Sequence, residues 1–282
     1  METGLPPNLK VSSVLPADFG DYRIDGAGAM QALSAAEDAH FWHRSRNALI
    51  TSRLQALGTP AGAEVVELGC GGGAVAAALS TAGYKVVGVD GHVPRLREAA
   101  RRAPQAEFWA HDLSKGPPPV PQAHFAVVAL FDVIEHLDHP AAALADAMRL
   151  LAPGGLLVGT VPALMALWSP IDEASGHKRR YSRATLGEIL GGVAGARLVE
   201  IRDFNRHLVP LTWLQRRKLP RGGDSDRMLA ENLQVPSKPV NAVFLGVAAV
   251  ERMLSPVLEL TRLPGASLWF ALRKDGTLPG PH

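Results

Sequence analysis

Between residues 64 and 161 five short apolar runs alternate with stretches of helical periodicity, and that alternation leaves few folds open to the chain. The runs are 64–68 (EVVEL), 85–89 (KVVGV), 106–110 (AEFWA), 125–131 (FAVVALF) and 156–161 (LLVGTV). Helices are expected at about 74–82, 93–102, 141–151 and 183–191. A strand that is apolar at nearly every position, rather than at every second one, is buried on both faces. Strands of that kind separated by helices pair in parallel, with the helices laid over both sides of the sheet. Two further strands are expected at 197–202 (RLVEIR) and 267–272 (SLWFAL), which makes the expected sheet seven-stranded and the fold class α/β.

The flanking segments are less regular. Residues 1–28 are rich in Pro, Gly and Asp and read as an irregular leader, without the apolar run of a signal peptide. Residues 29–57 place Leu33, Phe41, Trp42, Leu49, Ile50 and Leu54 at helical spacing until Gly58 and Pro60 stop the pattern. The long stretch 204–266 separates the last two strands. It holds the basic run Arg216, Arg217, Lys218, a Gly/Asp stretch at 221–226 and an apolar helix at about 240–260. The expected organisation is a leader and cap helix (1–60), an α/β core (61–203), a helical insertion (204–266) and a last strand with its tail (267–282). A net charge of +2 in 282 residues argues against a dedicated nucleic-acid binder. The single cysteine, Cys70, rules out an intrachain disulfide and points to a reducing cytoplasm.

The chemistry concentrates where the first core strand ends, at Glu67-Leu-Gly-Cys-Gly-Gly-Gly73. Glycines there let the chain turn sharply and bring bare backbone against a ligand, while the next helix aims its N-terminus at it. Gly69-x-Gly71-x-x-Ala74 also fits a loose dinucleotide fingerprint, so the glycines alone do not choose the ligand. Glu67 narrows the choice, because a carboxylate at that point repels a pyrophosphate and suits a cationic amine. Asp90, at the end of the second core strand, stands where an acid accepts hydrogen bonds from both hydroxyls of a ribose. Asp112, after the third, is placed to meet an adenine amino group, or simply to cap a turn.

With these motifs goes Phe131-Asp-Val-Ile-Glu-His-Leu137 after the fourth core strand and Leu151-Ala-Pro-Gly-Gly-Leu-Leu157 before the fifth. Residues 64–161 resemble the class I S-adenosylmethionine-dependent methyltransferases. The resemblance implies a Rossmann-like, doubly wound, mostly parallel sheet with helices on both faces, and S-adenosyl-L-methionine as cofactor. The residues it assigns to that cofactor are Glu67, Gly69, Cys70, Gly71, Gly73, Asp90, Gly91, His92, Asp112, Leu113 and Phe131. Gly72 departs from the small hydroxyl residue common in the family. His40-Phe-Trp-His-Arg-Ser-Arg46, Leu167-Trp-Ser-Pro-Ile-Asp172 and Gly176-His-Lys-Arg-Arg-Tyr181 are similar to a bacterial branch laid out like the ubiquinone-biosynthesis O-methyltransferases. In the family the helix before the core covers the cofactor, which adds Trp42 and Arg46, four apart on one face, with Arg46 toward the methionine carboxylate.

Several candidates for the transfer step remain. His177, one turn before Tyr181 in a polar loop after the fifth strand, is a candidate base for a hydroxyl, with His136 next in line; the competing reading is that Asp172, His177, Arg180 and Tyr181 only tie the loop down. Arg179, Arg180 and Arg183 either greet an anionic substrate or form a solvated face. Asp132, Glu135 and His136 lie within one helical turn, a spacing that permits a divalent ion, yet no metal is expected. The expected reaction is O-methylation of a small-molecule or lipid-like acceptor, with N- or C-methylation, or cofactor binding without transfer, as alternatives. Nucleic acid is not expected as a substrate, since the Asn/Asp-Pro-Pro-aromatic motif of amino-methylating DNA enzymes is replaced by Phe131-Asp-Val-Ile. Segment 204–266, too short in its apolar part to span a bilayer, is expected to form a cap packed on the sheet or on a homodimer mate, a lid over a hydrophobic acceptor pocket, or a peripheral membrane contact, with Arg216, Arg217 and Lys218 turned outward to anionic headgroups or a phosphate.

Overall fold

A computed structural model describes residues 5–12, 27–217 and 231–276. The core strands expected from apolar runs all form: β2 (Glu64–Leu68), β3 (Lys85–Asp90), β4 (Glu107–Ala110), β5 (Phe125–Phe131), β6 (Leu151–Pro162), β7 (Ala196–Phe204) and β8 (Ser267–Lys274). The sheet has eight strands, one more than expected, in the order β1-β4-β3-β2-β5-β6-β8-β7. The extra strand, β1 (Leu9–Val11), lies in the segment read as an irregular leader and runs parallel to β4. Three residues carry too little pattern to be recognised. What holds them is Asn8, whose side-chain amide donates to the Ala106 carbonyl at 2.9 Å, and the buried side chain of Leu9. β1 to β6 are parallel, and β8 lies antiparallel between β6 and β7.

Helices cover both faces, as continuous burial of the strands requires. On one side α2 (Phe41–Ala56), α3 (Ala74–Thr81) and α4 (Val93–Arg102) press Ile50, Leu54, Leu79 and Leu96 onto Val65, Val86, Val127 and Trp269. On the other, α5 (Pro140–Leu150) and α7 (Arg183–Gly191) set Leu144, Met148, Leu186 and Leu190 against Val66, Val128, Leu130 and Phe270. The single helical stretch expected over 29–57 is two helices, α1 (Ala27–Ala39) and α2. They break at His40, whose Nδ1 accepts the Trp42 amide at 3.1 Å and caps α2. A short α6 (Pro170–Ala174) follows β6.

The insertion between β7 and β8 carries α8 (Leu208–Arg217) and α9 (Lys238–Leu258). The apolar helix expected at 240–260 is α9, while Lys218 and the 221–226 stretch lie outside the described residues. α9 crosses α2: Phe244 stacks on Phe41 with ring centroids 4.6 Å apart, and Asn241 Oδ1 accepts the Phe41 amide at 2.7 Å. Among the described residues no helix is long and apolar enough to cross a membrane. β2 sits mid-sheet between β3 and β5, so the chain reverses its direction of travel across the sheet there. In doubly wound sheets the crevice at that point, beyond the carboxyl ends of the strands, is where ligands bind.

Candidate functional site

The glycine loop closes over the end of β2 and is held from β3. Asp90 accepts the Gly71 amide at 2.9 Å on one oxygen and the His92 amide at 2.8 Å on the other. Each carboxylate oxygen keeps a further lone pair, so the group that shapes the loop can also receive two hydroxyls. Gly73 begins α3 at φ +76°, and a Cβ there would sit 2.7 Å from that of Ala99, so no other residue fits. Gly72 also has a local reason. A Cβ would lie 2.6 Å from the guanidinium of Arg95, which Glu37 and Glu98 hold in place by ion pairs. The departure from a hydroxyl residue at Gly72 goes with Arg95 filling the space that side chain would take.

Outside the loop lies a cleft of about 780 Å³ lined by Gly69, Gly71, Asp90, Gly91, His92, Asp112 and Leu113 among others. A second cleft, of about 880 Å³, runs between α2, α6, α8 and the segment 231–236, with Trp42, Glu135, Ile171, Leu211 and Phe244 in its walls. The two meet at Leu33, His43, Asp132, His136, Ser175 and His177, which line both. Asp132 opens the turn after β5 at φ +56°, a left-handed conformation that Asp adopts more readily than most side chains, and pairs with Arg46 at 2.5 Å. A molecule in each cleft would touch at this junction.

The charges at the junction are organised around Asp172. It is 1% exposed and accepts Arg180 Nε at 2.7 Å, Arg216 at 2.6 Å, the Ser169 amide at 3.0 Å and His177 Nδ1 at 3.0 Å. Burial alone would raise its carboxyl, but the hydrogen bond from His177 and the two guanidinium charges outweigh burial and hold it well below the usual carboxylate range. A carboxylate kept ionised can only accept, so His177 donates its Nδ1 hydrogen to it, and in the neutral ring Nε2 is the acceptor. The His136 ring stands edge-on to His177 with centroids 4.9 Å apart, and its pKa is lowered to about 4 by burial first and then by His177. Glu135 has neither oxygen hydrogen-bonded and no exposed surface. Burial, with the nearby charge of Asp132, pushes its carboxyl well up, which favours the protonated form. Ligand atoms of Glu135, His136 and His177 lie within 4.8 Å of one another, a set able to face a cation. In the trio expected from spacing Asp132 stood where His177 stands; the structure commits Asp132 to Arg46 instead.

Seven of the residues assigned to the cofactor line the first cleft: Gly69, Gly71, Asp90, Gly91, His92, Asp112 and Leu113. Asp112 also caps a 3-10 turn, accepting the Ser114 amide at 2.8 Å, as its capping reading expected. Glu67 is buried behind the loop with Oε2 unpaired, and its pKa is pushed up to about 8 by burial first, against the pull of Arg46. Five assignments need correction. The Cys70 thiol turns into the core toward Gly88, where burial pushes its pKa up. Phe131 is a core residue stacked on Trp269 at 6.3 Å. Trp42 lines the second cleft, with the Arg46 guanidinium 4.8 Å above its ring. Tyr181 is 2% exposed in the core, its hydroxyl donating to the Ile134 carbonyl at 3.3 Å, because a β-bridge to Ala163 draws it inward. Arg216 does not point outward with its basic run but inward to Asp172. Arg180 is buried on Asp172, and Arg183 pairs with Asp203 and Glu259. Sequence reasoning missed His43, which lines both clefts and which burial and Arg46 hold neutral at pKa about 2; its signal was its place three residues before Arg46 on the same helix.

A family profile described as a methyltransferase domain matches residues 41–201. A ubiquinone biosynthesis O-methyltransferase of Psychrobacter arcticus is 32% identical over 103 residues, 35% of this chain and 40% of that protein. A demethylmenaquinone methyltransferase of Tropheryma whipplei is 31% identical over 126 residues, 45% of this chain and 49% of that protein. The chain spans about half the length of the curated relatives it matches. Among solved structures, phosphoethanolamine N-methyltransferase 2 of Haemonchus contortus, in complex with S-adenosyl-L-methionine, superposes with a TM-score of 0.56 at 17% identity, over 88% of this chain and 57% of that one, and shares the fold. The chain belongs to the methyltransferase-domain family and has the fold of solved S-adenosylmethionine-dependent methyltransferases. Its own residues fit that cofactor: a bare glycine cradle, spare acceptor capacity on Asp90, and a buried carboxylate oxygen on Glu67 without a hydrogen-bond partner.

Proposed function

We propose that the chain transfers a methyl group from S-adenosylmethionine to a hydroxyl of a small-molecule or lipid-like acceptor, with His177 as the base. One observation carries the reading: the cofactor-side and acceptor-side clefts join at His177, whose Nδ1 is committed to an ionised Asp172 and whose Nε2 is free to accept. S-adenosylmethionine supplies, when bound, a methyl group already activated on a sulfonium. What the chain must add is alignment and a destination for the acceptor's proton. His177 Nε2 takes that proton as the oxygen–carbon bond forms, and Asp172 stabilises the resulting imidazolium. Glu135, whose oxygens have no partner and whose carboxyl burial pushes well up, donates in its protonated form a hydrogen bond to a second oxygen of the acceptor. Leu208, Leu211 and Phe244 give the outer part of the acceptor cleft an apolar wall suited to a hydrocarbon tail. The quinone-directed names of two relatives support an acceptor of this class. The near-balanced charge keeps nucleic acid outside the reading, and the lone buried thiol of Cys70 suits a cytoplasmic setting.

The test is transfer of labelled methyl from S-adenosylmethionine across a panel of phenols and hydroquinones with short and long tails. The expected result is label in an O-methyl product, with His177→Ala lowering kcat by about 10²-fold and leaving cofactor affinity nearly unchanged. Turnover within a few-fold of wild type would make His177 a structural residue and turn attention to His136.

A further inference from the structure

Helix α9 is built inside out. Three of its polar side chains face the protein. Asn241 bonds the Phe41 amide and the Ala39 carbonyl, at 2.7 and 2.8 Å. Glu251 accepts the Arg206 amide at 3.0 Å and pairs with His207 Nδ1 at 2.6 Å. Ser255 accepts Arg202 at 3.2 Å. The opposite face carries Val243, Val247, Val250, Leu254 and Val257 at alternating spacings of four and three, with Met253 beside them, and all are exposed. Val243 is 64% and Met253 72% exposed, and Leu260 just beyond the helix 83%. A surface helix normally shows the reverse arrangement. The stripe from Val243 to Val257 runs about 20 Å at 1.5 Å per residue. α8 also exposes Trp213 and Leu214. An exposed apolar stripe of this length on a folded chain marks a docking site.

The charges around the stripe say what docks. Arg217 lies 3.9 Å over the Trp213 ring, and Lys238 and Arg262 flank the two ends of α9. Among the described residues Lys238 and Arg262 make no ion pair. The acids of this region are spent inward, Glu251 on Arg206 and His207, Glu259 on Arg183 and Arg206, while Glu231 lines the acceptor cleft. An apolar stripe with a cationic rim matches the boundary between acyl chains and anionic headgroups. A second copy of the chain would bring the same cations against this rim. The helices that carry the stripe also wall the acceptor cleft, through Leu208, Leu211 and Thr212 on α8 and Phe244 on α9.

We propose that the outer face of α8 and α9 docks on an anionic lipid bilayer, lying in its surface, and that a lipid-like acceptor passes from the bilayer into the cleft beside it. The second half of this inference rests on the acceptor class proposed above; the first half does not. The test is sedimentation of the 282-residue chain with vesicles of phosphatidylcholine, alone or with roughly a third phosphatidylglycerol. Wild type is expected to sediment with the anionic vesicles at low salt, less with neutral ones, and to be released by salt. Val250→Glu and Val257→Glu, at positions 51% and 61% exposed on the outer face, should each reduce partition about tenfold or more. Both variants should keep the wild-type melting temperature, cofactor affinity and rate on a short-tailed soluble acceptor, and lose rate on a long-tailed acceptor held in vesicles. Absence of anionic-vesicle binding at low salt overturns the inference, as does equal binding by the variants. A wild-type dimer in analytical ultracentrifugation that Val257→Glu turns into monomer would assign the face to a second copy and overturn it too. Vesicle binding without methyl transfer to any acceptor would leave the docking surface standing and refute the proposed function instead.

Discussion

Cofactor binding should expel a proton from Glu67. In the free protein this carboxyl is 2% exposed, has one oxygen without a partner, and has its pKa pushed up to about 8, by burial first and then by the negative charges of Asp90 and Glu37, against Arg46. With that value it is about nine-tenths protonated at pH 7. An ammonium group delivered beside it favours the carboxylate, so binding should release about 0.9 proton at pH 7, about 0.5 at pH 8 and about 0.1 at pH 9. The linkage has a definite sign. The folded pKa is raised, so the stabilising contribution of Glu67 in the free protein is full below its unfolded value near 4.5 and is lost as pH rises through 8; the bound cation reverses that loss. Titration calorimetry of S-adenosylmethionine in buffers of different ionisation enthalpy measures the proton count directly, and Glu67→Gln should bring it to zero. Heats at pH 7 that do not depend on the buffer would refute the reasoning and remove Glu67 from the cofactor's cation site.

Three other perturbations probe neighbouring parts of the account. Asp90→Ala should weaken S-adenosylmethionine binding by about 1.5–3 kcal/mol in the same calorimeter, because it strips two acceptors from the ligand and the Gly71 and His92 amides from their clamp; unchanged affinity would clear Asp90 of both roles. Gly72→Ser should lower stability by about 1–3 kcal/mol in denaturant unfolding, since its Cβ displaces an Arg95 already tied to Glu37 and Glu98; a stability equal to wild type would mean the guanidinium moves aside freely. His136 has a folded pKa lowered from 6.5 to about 4, so its contribution is present above 6.5 and is lost as pH falls through 4. The gap in melting temperature between wild type and His136→Gln should therefore narrow from pH 7 to pH 4.5, and a widening gap would contradict the burial argument.

The parallel core was legible because double-sided burial writes itself as unbroken apolar runs, and the strands from Glu64 to Pro162 appear where those runs fall. The cofactor cleft was legible for a related reason: backbone approach demands glycine, and Gly69, Gly71 and Asp90 sit at fixed distances from one strand end. β1 was not legible, since Asn8 and Leu9 acquire meaning only against β4 and α4, about a hundred residues away in sequence. Tyr181 and His177 look alike as neighbours in a polar loop, yet the bridge to Ala163 buries one and leaves the other at the junction of the clefts. Arg216 was misread because a basic run gives no hint that one member turns toward Asp172. The apolar character of α9 was plain, but which of its faces meets the protein depends on Asn241, Glu251 and Ser255 finding partners on α2 and β7 and in the turn after β7, and periodicity carries no such information.

Hydrogen–deuterium exchange with and without S-adenosylmethionine tests most directly that the cofactor lies in the glycine-loop cleft and touches the acceptor cleft only at the junction. The account predicts slower exchange in the ligand's presence at 69–73, at 90–92 and at 111–114, where the amides line or hold the cleft, with a smaller effect at 132–136 and no change in α8 or α9. Protection confined to the acceptor cleft and α8, with the glycine loop exchanging as in the free protein, would contradict it.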